Sequence, residues 1–193
     1  MEHTETINLE KIKEDYKTRK NREKFFYELK KTIGFFLVII SVGIIISSFW
    51  VRVLTIYGTS MSPNLTAKDT VVAFKKDQYK SGDVIAFYYN NKVLVKRVIA
   101  TSGDWINISN NGNVIINDKE IKEKYLLKSS KSIGKTDIKL PYQVPENKIF
   151  VMGDHRSVSI DSRNKIIGSI GKEQIIGKIK FIIWPISRFE ILN

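Results

Sequence analysis

A charge-free, mostly apolar run of 19 residues, 33–51, constrains this chain more than any other feature. In helical form it is about 28 Å long, close to the roughly 30 Å hydrocarbon core of a bilayer, so one membrane-spanning helix is expected. The flank before it carries Lys17, Arg19, Lys20, Arg22, Lys24, Lys30 and Lys31 against Glu23 and Glu28, whereas after it only Arg52 precedes Lys68. Positive-inside logic leaves the N-terminus in the cytoplasm and everything after Val51 outside. Phe49 and Trp50 stand where an interfacial aromatic anchor belongs. A cleavable leader is the rival reading. It fits less well, because 32 residues precede the run and the nearest small-x-small pattern, Gly58-Thr59-Ser60, begins seven residues past Val51.

The expected layout is a charged cytoplasmic tail over 1–32, an anchor over 33–51 and one extracytoplasmic domain over 52–193. The tail mixes both signs of charge without a persistent apolar stripe, as a solvated or partly helical segment does. From residue 53 the texture changes to short β-branched runs broken by turn residues: 71–74, 84–89, 93–100, 105–108, 114–117, 149–152 and 178–184. These predict a mainly β, antiparallel fold. Asn90-Asn91 is a two-residue hairpin turn, and residues 110–113 make a longer one. Residues from about 105 to 147, rich in Lys, Ser and Asn, read as a small inserted β lobe. The apolar segment 181–186 reads as a buried strand, with contact to lipid as the alternative.

Several chemistries are disfavoured by composition. The chain has no cysteine, so neither disulfides nor thiolates operate, and its two histidines, His3 and His155, fall on opposite sides of the expected membrane. No metal and no cofactor are expected. With 32 Lys and Arg against 20 Asp and Glu the net charge is +12. That charge is scattered over turns rather than interleaved with aromatics, so attraction to anionic lipid is expected and nucleic acid is not.

A serine nucleophile needs a base that is neutral at working pH. Ser60 lies eight residues past Arg52, which puts a hydroxyl close to the membrane surface. Two bases are open to it. His155 sits in Gly153-Asp154-His155-Arg156, and a Ser-His-Asp set with Asp154 or Asp161 is compatible with spacing. Lys96 lies in a strand whose alternation puts Leu94, Lys96 and Val98 on one face, and burial there lowers a lysine pKa by up to several units. On the strand alone, an edge lysine that blocks strand pairing is the better account of Lys96.

Ser60-Met61-Ser62-Pro63-Asn64-Leu65 resembles the Ser-Met-x-Pro-Thr-Leu box of type I signal peptidases. Gly82-Asp83-Val84-Ile85-Ala86-Phe87 is similar to their Gly-Asp-apolar strand, and Lys96-Arg97-Val98-Ile99, followed by Gly103-Asp104, to their lysine box. Met152-Gly153-Asp154-His155-Arg156 with Ser159-Ile160-Asp161-Ser162-Arg163 resembles the last box. Four boxes in family order after a single anchor identify the chain as similar to the small, single-anchor bacterial enzymes. The resemblance implies a membrane-anchored endopeptidase that removes signal peptides from exported preproteins, with Ser60 as nucleophile and Lys96 as general base. It implies that Ser159 orients the lysine and that Asp161 and Arg163 support the region as an ion pair. It places Ile56, Gly58, Met61, Leu65, Leu94 and Val95 around small pockets for alanine-like side chains, with the substrate backbone adding to exposed strand edges. Gly58 occupies the position where some members carry an oxyanion-binding hydroxyl.

The chain departs from the family pattern at His155, where asparagine is usual, at Asn64, where threonine is common, and at Ala100-Thr101-Ser102, where Gly-Leu-Pro is frequent. An idle relative acting as a surface assembly or chaperone factor is the alternative; it predicts loss of Ser60 or Lys96, and both are present. A self-cleaving repressor-type protein would carry a DNA-binding helical module where this chain has the apolar run.

Overall fold

The computed structural model describes residues 2–192, without the side chains of residues 2–8 and 46. The chain divides into two compact units, 1–49 and 50–193.

The first unit is one continuous helix, α1 (Glu2–Ser48). Its charged half is built from Glu, Lys and Arg, which lose little rotamer freedom in a helix, and it contains no proline. Hydroxyls within it turn back on the preceding turn: Thr18 Oγ1 donates to the Glu14 carbonyl at 2.9 Å, Thr32 to Glu28 at 2.9 Å and Ser41 to Leu37 at 2.8 Å. Among the described residues no helix is long and apolar enough to cross a membrane. The described side chains of the charge-free run stop at residue 45 and resume at 47. The helix ends at Ser48, ahead of Val51, which begins a strand instead.

The second unit is mainly antiparallel β. Its strands are β1 (Val51–Thr55), β2 (Thr70–Phe74), β3 (Val84–Tyr89), β4 (Lys92–Ala100), β5 (Trp105–Ile108), β6 (Val114–Ile116), β7 (Lys119–Glu120), β8 (Tyr142–Gln143), β9 (Lys148–Met152), β10 (Ile170–Gly171), β11 (Ile175–Trp184) and β12 (Glu190–Ile191). One sheet runs β1-β2-β11-β3-β4-β9-β10, with β12 on β11, and a second runs β7-β6-β5-β8. The second sheet is inserted between β4 and β9. It shares a core with the first through Ile99, Ile106, Val114, Phe150 and Met152, all fully buried. Asn90 and Asn91, with φ of 43° and 59°, make the two-residue turn of the β3–β4 hairpin, pairing Tyr89 with Lys92.

Five strands escape the alternation pattern. β1 is hidden because Val51 continues the apolar run; β7, β8, β10 and β12 have two residues each, too short to show a period. Along β11, Ile179 and Ile182 are buried while Ile183 and Trp184 are exposed, as are Ile186, Phe189 and Ile191 beyond it. Within segment 181–186 only Ile182 is buried, while Ile183, Trp184 and Ile186 are exposed, so the segment is not the buried strand that its apolar composition suggests.

The large sheet leaves two strand edges vacant. β4 pairs with β3 over its first six residues but meets β9 only from Arg97 onward, so residues 92–96 keep one edge unpaired. β1 pairs with β2 alone, leaving its other edge unpaired as well. The turn after β1 is pinned by Ile56, Met61 and Leu65, which are buried against Val71, Val84 and Ile179.

Phe150 links the two sheets, its ring 5.7 Å from that of Tyr142. Phe150→Ala is expected to cost about 3–5 kcal/mol, read as a shift of the urea midpoint followed by tryptophan fluorescence; a shift under a third of that would mean the two sheets do not share one core.

Candidate active site

Ser60 lies in the turn that follows β1. The turn is closed by Ser62 N–H on the Thr59 carbonyl at 3.1 Å and Leu65 N–H on Met61 at 3.0 Å. Gly58, with φ of +89°, takes the chain into it through a conformation that side chains with a Cβ rarely adopt. Buried Met61 then fixes the direction in which the neighbouring hydroxyl points.

Lys96 is 4% exposed. Its Nζ is 2.7 Å from Ser60 Oγ and donates a second hydrogen bond to the Val95 carbonyl at 3.1 Å. Burial pushes the ammonium down from 10.5 to about 8; Asp161 and Asp154 pull it up, and Arg163 pushes it down. Lys96 lies opposite Ile85 of β3 and one residue before the β9 ladder. The edge-blocking account of Lys96 therefore fails, because a blocking lysine has to point into solvent and this one is buried.

The histidine route is not assembled. His155 contributes its backbone N–H to the Ser60 carbonyl at 3.0 Å. Asp154 accepts from Arg97 Nε at 2.9 Å and Nη2 at 2.7 Å, and from Asn64 Nδ2 at 2.7 Å. Asp161 accepts from Gly153 N–H at 2.9 Å and from Arg163 Nε and Nη2, each at 2.8 Å. Neither carboxylate orients the imidazole, which makes no hydrogen bond among the described residues.

The loop 153–163 packs closely on Ser60. A Cβ at Gly153 would sit 2.5 Å from the Ser60 carbonyl oxygen and 2.2 Å from Ser159 Oγ, so only glycine fits. The Asp161–Arg163 ion pair is present and fully buried. Ser159 is buried too, but its Oγ has no hydrogen-bond partner; the expected contact with Lys96 is not made.

A cleft of about 610 Å³ opens beside Ser60 and Lys96, walled by the two unpaired edges. Ile56, Gly58, Met61, Leu94 and Val95 line it. Leu65 does not; it is fully buried in the core beneath the turn. Val53, Tyr57 and Val93 also line the cleft, beyond the set that the motifs point to. The alternation Val51-Arg52-Val53 carries a signal for Val53, but that segment merges with the apolar run. Among the described residues no group of three His, Asp or Glu side chains is placed to hold a metal ion.

Known proteins resemble this chain along most of its length. The family described as signal peptidase, peptidase S26, matches residues 29–184. Signal peptidase I of Bacillus licheniformis is 31% identical over 181 residues, covering 88% of this chain and 95% of that one. Signal peptidase IB of Staphylococcus aureus (strain COL) is 34% identical over 184 residues, covering 84% and 95%. A solved signal peptidase I from Enterococcus faecalis overlaps 54% of this chain and 98% of its own at 24% identity and a TM-score of 0.46, too distant to add to the assignment. The match across most of the chain settles the family: this protein belongs to the signal peptidases, peptidase S26, and is a serine endopeptidase.

Proposed function

We propose that Ser60 and Lys96 form the catalytic pair of a membrane-anchored enzyme that removes signal peptides from exported preproteins. The observation that carries this reading is the 2.7 Å approach of Ser60 Oγ to a buried lysine nitrogen at the wall of an apolar cleft. In its neutral form Lys96 Nζ accepts the Ser60 proton as Oγ attacks the scissile carbonyl carbon. The resulting ammonium returns that proton to the leaving amine, which departs as the new N-terminus of the mature protein. Lys96 then takes a proton from water as its oxygen attacks the acyl-serine, and on collapse returns that proton to Ser60 Oγ, which leaves as the free hydroxyl while the signal peptide departs with a new C-terminal carboxylate.

The oxyanion needs donors aimed at it. Ser60 N–H has no acceptor among the described residues and is free to serve; Gly58 brings no hydroxyl. The preprotein's extended segment adds to the unpaired edges of β1 and β4, with alternate small side chains entering the cleft. Ile56, Met61, Leu94 and Val95 supply its apolar walls, while Leu65 supports them from beneath. Ser159, Asp161 and Arg163 hold the loop against the nucleophile.

The charge-free sequence 33–51, helical as far as Ser48 and preceded by a basic flank, supports an anchor with the N-terminus in the cytoplasm and the β unit outside. Exposed Trp184, Ile186, Phe189 and Ile191 give the β unit its own affinity for a lipid surface. The idle-relative alternative has no observation in its favour.

Processing of a preprotein whose signal peptide ends in Ala-X-Ala tests the pair. Ser60→Ala and Lys96→Ala are each expected to slow cleavage by roughly 10³-fold or more, whereas His155→Ala stays within about tenfold of wild type. A folded Lys96→Ala protein at wild-type rate would sink the assignment.

The pH dependence has a definite sign. Since the active form of Lys96 is the neutral amine and its pKa is lowered from 10.5 to about 8, kcat/KM rises with pH through a limb near 8. A limb centred near 10.5 would show that the lysine is not desolvated in the working enzyme.

A further inference from the structure

We propose that the segment 121–125, which leaves the inserted sheet after β7 and ends in a turn, is a positioning device for the Ser60–Lys96 pair, with Tyr125 as its working residue. The inference rests on the catalytic reading of that pair.

Exposure alternates along Ile121-Lys122-Glu123-Lys124-Tyr125, and the chain turns at its end, where Leu126 N–H donates to the Glu123 carbonyl at 3.0 Å. Lys122 and Lys124 are exposed, while Ile121, Glu123 and Tyr125 are turned inward. Its start is tied to β6 by Ile121 N–H on the Val114 carbonyl at 3.0 Å. Its far end meets both arms of the catalytic pair. The Tyr125 carbonyl accepts from Asn64 Nδ2 at 3.0 Å, and the Tyr125 ring covers the Arg97 guanidinium at 3.9 Å.

Asn64 and Arg97 are not arbitrary partners. Asn64 stands four residues after Ser60, and Arg97 directly follows Lys96. Both are bound to one carboxylate, Asp154, which is 0% exposed. The next residue, His155, holds the Ser60 carbonyl through its N–H. A closed circuit therefore runs from Ser60 through Asn64, Asp154 and Arg97 to Lys96. Tyr125 closes it from outside, because both Asn64 amide hydrogens are used, one on Asp154 and one on Tyr125.

The segment is itself held. Tyr125 O–H donates to Glu123 Oε1 at 2.8 Å, and Glu123 pairs with Arg156, whose Nε donates to the Gly153 carbonyl at 3.0 Å. Burial raises the Tyr125 phenol, with Glu123 adding to the shift, so it stays a neutral donor. Arg97 already has its in-plane donors on Asp154 and on the Gly82 carbonyl at 2.8 Å. The tyrosine ring covers the face of that guanidinium, a contact that strengthens when water is excluded. Tyr125 touches neither reacting atom; it acts through Arg97 and Asn64.

The test separates kcat from KM for the full chain in detergent micelles, using a preprotein whose signal peptide ends in Ala-X-Ala. Loss of the ring lets the pair drift, and a displacement of about 1 Å costs on the order of 10²-fold. Tyr125→Ala is expected to lower kcat at least about tenfold and leave KM within about twofold, since no cleft wall is changed. Tyr125→Phe keeps the ring over Arg97 and is expected to restore most of kcat. Should Tyr125→Ala fold poorly, Tyr125→Leu keeps bulk without a π face, and its kcat is expected to fall as well. A wild-type kcat in a folded Ala or Leu variant overturns the inference, as does a loss confined to KM or an equal loss in Phe and Ala. If wild type left the preprotein uncut, or Ser60→Ala cut it, the catalytic reading itself would fall, and this inference with it.

Discussion

A lysine that is 4% exposed, with one serine hydroxyl and one carbonyl as its only partners among the described residues, holds its proton poorly. Much of the second unit can be read as the means of keeping Lys96 in that condition. β3 on one side and the start of the β9 ladder on the other exclude water from its stem. The acidic groups nearby, Asp154 and Asp161, would undo the effect if either formed an ion pair with it. Each is instead committed to an arginine, Asp154 to Arg97 and Asp161 to Arg163. The lysine is left facing the Ser60 hydroxyl rather than a carboxylate.

Those commitments explain why so many charged residues lie inside a small β unit. Arg97, Arg156, Arg163, Asp154 and Asp161 are all buried, and each has a partner. Buried ion pairs give little net stability against a hydrophobic core, but removing one partner is costly. Their value here is geometric: guanidinium forks fix distances and angles between three segments far apart in the chain. One buried polar atom stands outside this satisfied network, Ser159 Oγ, and it lies beside the glycine that packs on Ser60.

The sequence pattern is informative where function and periodicity coincide. Alternation puts Lys96 with Leu94 and Val98, but burial does not follow that face: Arg97 and Ile99 on the other face are buried as well, because the strand passes into the interior from Lys96 onward. The pairing with Ser60 is not legible there, because residues 36 apart meet only through the order of strands in the sheet. The boundary after the apolar run is ambiguous because Val51 suits a membrane helix and a strand equally well; pairing with Phe74 decides it. Leu65 reads as a pocket wall because an apolar residue in a functional box looks the same whether it faces a cleft or a core. Glu123 and Tyr125 lie outside every motif. Only the inward–outward alternation between two lysines marks them, and it resembles that of an ordinary exposed strand.

The change of partners along β4 acts as a measuring stop. A peptide lying along the free edge of residues 92–96 gains a ladder hydrogen bond at every second position until Arg97, where β9 already occupies that edge. Beyond that point the peptide has no strand to follow and must bend away. On the proposed reading of Ser60 and Lys96, that bend falls beside them, and the place of the cut is set by where the sheet runs out of vacant edge, before any side chain is read.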